Sequence, residues 1–115
     1  MKKLVSIILL AFAVVSHAGN GVERRAIDFS RVTVSNEERE VLSRILNERC
    51  DNLLWIRLVG KRIEKVKVDQ YIFDEYIVYT FTSPGNEQYA LEYHDVWLWK
   101  DDLSFYGLQS TGGCW

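Results

Sequence analysis

The sequence predicts an α+β domain in which one N-terminal helix packs on an antiparallel meander of about four to five strands. One segment alone, residues 35–50, has the apolar periodicity of a helix. The segments that follow are rich in β-branched and aromatic residues and are separated by turn signals. A single helix followed by a run of strands is typical of the α+β class.

The first eighteen residues are predicted to be a secretory signal peptide, which precedes the domain. Lys2 and Lys3 supply the positive charge, residues 4–15 are almost entirely apolar, and the small residues Ser16 and Ala18 follow. The apolar run is shorter than the roughly 20 residues that a membrane-spanning helix needs. We therefore expect cleavage and export to the periplasm or the medium, with an uncleaved anchor as the alternative.

The mature chain, residues 19–115, is short enough to form a single domain. Loss of Lys2 and Lys3 changes its formal net charge from −2 to −4. An acidic surface repels phosphate backbones and anionic membrane surfaces. We therefore expect no nucleic-acid partner and no stable membrane insertion after processing.

The two cysteines, Cys50 and Cys114, are predicted to form one disulfide, because exported thiols enter an oxidising compartment. Closing a loop of this length stabilises a small domain by roughly 4 kcal/mol. A redox-active pair is the alternative, but its cysteines normally lie close together in the sequence. An intermolecular bond is a further possibility.

The helix is predicted over Ser35–Cys50. Ser35 and Glu38 have the spacing of a capping box, and acidic residues fill the first turn. The stripe that should face the core consists of Val41, Leu42, Ile45 and Leu46. Cys50 then lies at the end of the helix, where it can be joined to the tail of the chain.

The rest of the chain predicts extended structure. The predicted strands cover residues 26–34 (a short strand or an extended arm), 53–59, 62–70, 76–82, 87–100 and 103–109. Tight turns are expected at Gly60-Lys61 and at residues 83–86. Matching apolar rows across these turns predicts the pairs Ile56/Val66, Leu54/Val68, Phe81/Tyr89, Tyr79/Leu91 and Ile77/Tyr93.

A helix followed by an antiparallel meander resembles the cystatin-like and related curved-sheet folds. The resemblance covers the outline alone. None of the peptide-binding motifs of the cystatin family is present, so it implies no function and no residue roles.

Few residues offer catalytic chemistry. His94 is the one histidine of the mature chain, and Glu92 and Asp95 lie beside it. On a regular strand Glu92 and His94 share a face and Asp95 points away, which gives two ligands where zinc needs three or four. The simplest interpretation is a histidine on a half-exposed strand. We predict no catalytic residue, no metal site and no cofactor.

Aromatic residues form the stronger signal. Tyr89, Tyr93, Trp97 and Trp99 share one parity of the predicted 87–100 strand. The simplest interpretation is that the helix covers most of this row. Because Val96 and Leu98 make the opposite parity apolar too, one helix cannot cover both faces. An N-terminal arm, a second subunit or a partner would then cover the other.

A basic row is predicted beside Trp55. It consists of Arg57, Lys65 and Lys67, and Lys61 and Arg62 extend it. Such a row is usually solvated and balanced by acidic neighbours, and less often it contacts an acidic partner.

These features favour an exported, non-catalytic module that binds another protein, as an inhibitor or an immunity-type protein does. The proposed contact residues are Trp55, Arg57, Lys65, Tyr93, Trp97 and Trp99. One alternative is a small-ligand-binding or hydrolytic domain with a pocket lined by His94 and Glu92. Another is a homodimer formed through the aromatic face.

Overall fold

The computed structural model describes residues 27–50, 53–85, 90–112 and 114. Within these residues the elements are β1 (Ile27–Asp28), α1 (Asn36–Arg49), β2 (Ile56–Asp69), β3 (Ile72–Pro84), β4 (Leu91–Trp99) and β5 (Phe105–Ser110). The predicted signal peptide, residues 1–18, lies outside the described residues. No helix in the described part of the chain has the length and hydropathy needed to cross a bilayer.

The strands form one sheet in the order β1-β2-β3-β4-β5. The α+β class is confirmed, and β2 to β5 pair antiparallel in sequence order. The prediction of a purely antiparallel meander after an N-terminal helix is wrong, because β1 precedes α1 and pairs parallel with β2. The helix acts as the crossover that a parallel pair requires, so the sheet is mixed.

The predicted helix is confirmed. Ser35 is the N-cap and forms a capping box with Glu38, and Cys50 is the C-cap. Leu42, Ile45 and Leu46 are buried and pack on one face of the sheet, which we call the inner face.

The inner face carries the core of the domain. Its buried strand residues are Ile56, Leu58, Ile77, Tyr79, Phe81, Val96 and Leu98. The predicted disulfide between Cys50 and Cys114 is present, and both cysteines belong to this cluster. It joins the end of α1 to the tail of the chain across 64 residues.

The predicted turn at Gly60-Lys61 is wrong. Strand β2 continues through both residues, and a register shift between Leu58 and Gly60 marks a bulge. The hairpin turn lies at residues 70–71, so the predicted pairs Ile56/Val66 and Leu54/Val68 do not form. Glycine suits a bulge as well as a turn, and here the β-forming residues on either side continue one strand.

The predicted register of the next hairpin is also wrong. Phe81 pairs with His94, Tyr79 with Val96 and Ile77 with Leu98. This pairing places Val96 and Leu98 in the core beneath the helix, whereas the predicted one relied on a short loop after β3. Strand β3 extends to Pro84 and β4 begins at Leu91. Residues 86–89, including Tyr89, lie outside the described chain.

Candidate binding surface

The aromatic row of β4 lies on the outer face, which is the face of the sheet opposite α1. Tyr93, Trp97 and Trp99 share it, because they pair with Thr82, Val78 and Tyr76 while the alternate residues of both strands enter the core. The expectation that the helix covers this row is therefore wrong. The helix covers the Val96 and Leu98 side.

Four aromatic rings pack together at one end of the outer face. This aromatic cluster consists of Tyr76, Trp97, Trp99 and Tyr106. The Tyr76 ring lies 4.2 Å from that of Tyr106 and 4.7 Å from that of Trp99, centroid to centroid. Tyr76 is 2% exposed and Tyr106 is 51% exposed, so the cluster has a buried centre and an open rim. Burial and a hydrogen bond with Tyr106 raise the pKa of Tyr76 to about 12.

A cavity of about 350 Å³ adjoins this cluster. It is lined by Val66 of β2 and by Gly107 of β5, strands that are not neighbours in the sheet. The sheet therefore curls, and its outer face is concave. Gly107 lies opposite Trp97, and a Cβ atom at this glycine would have no neighbour within 4 Å. The absence of a side chain here leaves space beside the indole.

The Trp97 indole also carries an unusual polar atom. Among the described residues, its Nε1 is the only buried side-chain nitrogen or oxygen without a hydrogen-bond partner. Buried polar groups in folded proteins are nearly always paired, so this atom is a polar site that the fold itself does not use.

A second cavity, of about 490 Å³, lies farther along the concave face. It is lined by residues that each carry a polar group, and these include Arg62, Thr80, Tyr93, Asp95 and Gln109. The Thr80 hydroxyl donates to Asp95 Oδ1 at 2.6 Å, and Arg62 Nη2 lies 3.6 Å from Asp95 Oδ2. Arg62 is also held by Glu64, with 2.8 Å between Nε and Oε1. The concave face thus has an aromatic end and a charged end.

Apolar side chains are also exposed on the far part of the β2–β3 hairpin, residues 63–73, which we call the distal hairpin. They are Ile63, Val66, Val68, Tyr71, Ile72 and Phe73, exposed by between 40% and 84%. Exposed apolar side chains in such a group are characteristic of interaction surfaces.

His94 lies on the inner face and is fully buried. Its Nε2 is 2.6 Å from Ser83 Oγ, and its Nδ1 is 2.7 Å from Ser110 Oγ. Ser110 Oγ in turn donates to the Gly112 carbonyl at 2.8 Å. Each proton then has an acceptor if Nδ1–H donates to Ser110 and the Ser83 hydroxyl donates to Nε2. Burial lowers the pKa of His94, although Glu92 and Asp95 oppose the shift.

This placement differs from the half-exposed histidine that the sequence suggested. Both ring nitrogens are engaged within the interior, and neither cavity described above is lined by His94 or Glu92. Ser83 and Ser110 were not identified from the sequence, because no short motif links them to His94. Over the described residues, no three histidine, cysteine or acidic side chains converge on a possible metal site.

The predicted basic row is divided between the two faces. Arg57 pairs with Thr82 and so lies on the outer face, where it contacts Asp28 at 2.9 Å and the Trp55 ring at 5.3 Å. The bulge after Leu58 reverses the alternation, so Lys65 and Lys67 share the inner side with Lys61. Of the six proposed contact residues, Lys65 is therefore the one that lies away from the other five.

Comparison with protein-family models, with curated proteins and with solved structures found no match to this chain. The outline resemblance to cystatin-like folds stays a prediction.

Proposed function

We propose that this protein is an exported, non-catalytic module that binds another protein through the concave outer face of its sheet. The proposal rests on the observation that no helix or strand of the described chain covers this face. The helix covers the inner face, while the outer face keeps two adjoining cavities and half-exposed aromatic rings.

The chemistry of the face suits a protein partner. Tyrosine, tryptophan and arginine are the residues that most often supply binding energy at interfaces. Tyr93 and Tyr106 are exposed by 49% and 51%, and they stand beside the charged and aromatic ends respectively. The Arg62–Asp95 pair adds directional polar groups, which favour specificity.

The Cys50–Cys114 disulfide fits a protein that works in an oxidising compartment. A rigid, acidic, exported module of this size is suited to an inhibitory or immunity-type role. A non-catalytic role is also consistent with the position of His94, which is enclosed by Ser83 and Ser110 in the interior.

A second candidate is a small-ligand site at the charged end. Its cavity of about 490 Å³ is within the range that small-molecule sites occupy. Here the ligand would contact Arg62, Asp95 and Gln109, in place of the His94–Glu92 pocket that the sequence suggested.

Site-specific crosslinking tests the main proposal. A photoreactive phenylalanine analogue replaces Tyr93 or Tyr106 in the full chain, and Glu48, exposed on α1, is the matched control. We expect the native envelope or medium to yield one crosslinked protein from both outer-face positions and none from the control. Crosslinks from Glu48 alone, or from no position, contradict the proposal. A crosslinked pair of identical chains would indicate the homodimer.

A further inference from the structure

A long edge of the sheet is open. Strand β1 pairs only with Ile56 and Arg57 of β2. From Leu58 to Asp69, β2 has β3 on one side and, among the described residues, no strand on the other. An open edge presents main-chain N–H and C=O groups that can pair with an added strand.

The inner side of this edge carries unbalanced positive charge. Lys61 is neutralised by Glu38, with 2.7 Å between Nζ and Oε2. Lys65 and Lys67 are exposed and form no ion pair within the described chain. Glu75, which lies opposite Lys65, instead contacts Lys100 at 3.2 Å.

This charge pattern disfavours a second copy as the occupant. Two identical edges related by a twofold axis pair antiparallel, with residues of the same parity opposite each other. If the axis passes through any residue from 63 to 67, a lysine of one chain faces a lysine of the other. The facing pair is either two different lysines from the set Lys61, Lys65 and Lys67, or the same lysine in both chains. Like charges directly opposite each other are destabilising.

We propose that the open edge of β2 accepts an extended, acidic segment of a partner protein as an added strand. Acidic side chains of that segment would lie opposite Lys65 and Lys67 on the inner side. Apolar side chains alternating with them would meet Val66, which is exposed by 40% on the other side. The proposal rests on the proposed function only in taking the partner to be a protein. The open edge shares Val66 with the cavity of the concave face, but its main-chain groups and Lys65 and Lys67 lie outside that cavity.

Synthetic peptides of defined sequence test the edge directly. The probe is a peptide of about eight residues that alternates glutamate with valine, a normal strand length. One control replaces glutamate with lysine. A second keeps glutamate and valine but carries N-methyl groups on alternate residues, which removes the donors that a strand needs. Binding to the full oxidised protein is followed by the amide NMR signals of β2.

We expect the acidic peptide to shift and protect amides between Leu58 and Asp69, while the lysine and N-methylated peptides have no effect. The double variant Lys65→Glu/Lys67→Glu should bind the acidic peptide at least about tenfold more weakly and acquire affinity for the lysine peptide. Arg31→Glu/Arg44→Glu changes the net charge equally at two exposed residues outside β2 and should bind as the wild type does.

The proposal is overturned if the acidic peptide does not bind at about 1 mM. It is equally overturned if the N-methylated peptide binds as tightly as the acidic peptide, or if the affected amides lie outside β2. Failure of the crosslinking at Tyr93 and Tyr106 would refute the concave-face function and leave peptide binding at the edge intact. The variant Tyr106→Ala should therefore bind the acidic peptide as the wild type does.

Discussion

The apolar side chains on the two faces of this sheet are shielded from water in different ways. The inner face is mainly aliphatic, with Tyr79 and Phe81 among its buried residues. It is closed by α1 and belongs to the same core as the disulfide. The outer face has no covering element among the described residues, so its aromatic rings pack on one another and stay partly exposed. A single helix can close one face only, and the face left open is the one that retains cavities.

The polar groups show the same contrast. Buried polar side chains of the inner face are paired: Glu38 accepts from Tyr79, and His94 bonds Ser83 and Ser110. On the outer face, Trp97 Nε1 is buried without a partner in the described chain. Stability should therefore depend on the inner face and binding on the outer face.

The largest effect on stability is expected from removing the disulfide that borders the inner face. The double variant Cys50→Ala/Cys114→Ala should lose about 4 kcal/mol of unfolding free energy, because a loop of this length is no longer restricted in the unfolded chain. Urea denaturation of the oxidised wild type and the variant measures the difference. A loss below about 1 kcal/mol would show that the disulfide is dispensable for this core.

Two positions on β4 compare the faces directly. Leu98→Ala on the inner face should cost about 3 kcal/mol, because it leaves a cavity in a fully buried site. Tyr93→Ala on the outer face, where the side chain is 49% exposed, should change stability by only about 0.5 kcal/mol. Equal losses in thermal or urea denaturation would contradict the division of roles.

The buried Glu38 provides a further test of the inner face, because its side chain joins the helix to the sheet. Its carboxylate accepts from Tyr79 at 2.6 Å, and Lys61 lies 2.7 Å away. Glu38→Gln should cost about 1–3 kcal/mol at neutral pH, since partners are left unsatisfied. Glu37→Gln, an exposed change in the same helical turn, is the matched control and should cost little.

The carboxylate of Glu38 also predicts how the stability of the protein depends on pH. Burial opposes ionisation, but hydrogen bonds from Lys61, the Ser35 backbone and Tyr79 hold the pKa of Glu38 at about 2, below its ordinary 4.5. Its contribution to stability is therefore present above pH 4.5 and is lost as the pH falls from 4.5 towards 2. Glu38→Gln should remove this part of the pH profile.

His94 predicts a second loss of stability on acidification, which begins at a higher pH than the loss caused by Glu38. Burial lowers its pKa below 6.5, so the unfolded chain takes up a proton more readily than the folded one. The contribution of His94 to the unfolding free energy should be constant above pH 6.5 and fall below it, with a slope of at most about 1.4 kcal/mol per pH unit. His94→Gln should flatten this segment of a urea-derived profile, and an unchanged slope would refute the assignment.

Local patterns predicted the helix well and the sheet register poorly. The Ser35–Glu38 capping box and the apolar stripe are contained within a few turns, so they define α1 without tertiary information. Gly60 is compatible with a turn and with a bulge, and only pairing with β3 decides between them. That choice reverses the alternation after Leu58. Simple alternation therefore predicts the basic row on one face, whereas the structure divides it between the two faces.

The candidate site was predicted in the same partial way. Alternation along β4 places Tyr93, Trp97 and Trp99 together, and the structure agrees. Which face the helix covers depends on the register between β3 and β4, a long-range property that the sequence pattern left open. Ser83 and Ser110 reach His94 from two neighbouring strands, so their association with it also required the register.

The smallest effect on stability is expected at Gly107, and it isolates the role of the outer face. A Cβ atom at this position meets nothing within 4 Å, so Gly107→Ala should change the unfolding free energy by no more than about 0.5 kcal/mol. The added methyl group nevertheless enters the cavity beside Trp97, and crosslinking of the partner from Tyr106 should weaken. Gly112→Ala is the contrasting variant, because its Cβ would lie 2.7 Å from Glu92 Oε1 and force that side chain to move. If Gly107→Ala destabilises the fold as much as Gly112→Ala does, the space beside Trp97 belongs to the packing of the domain and is not available to a partner.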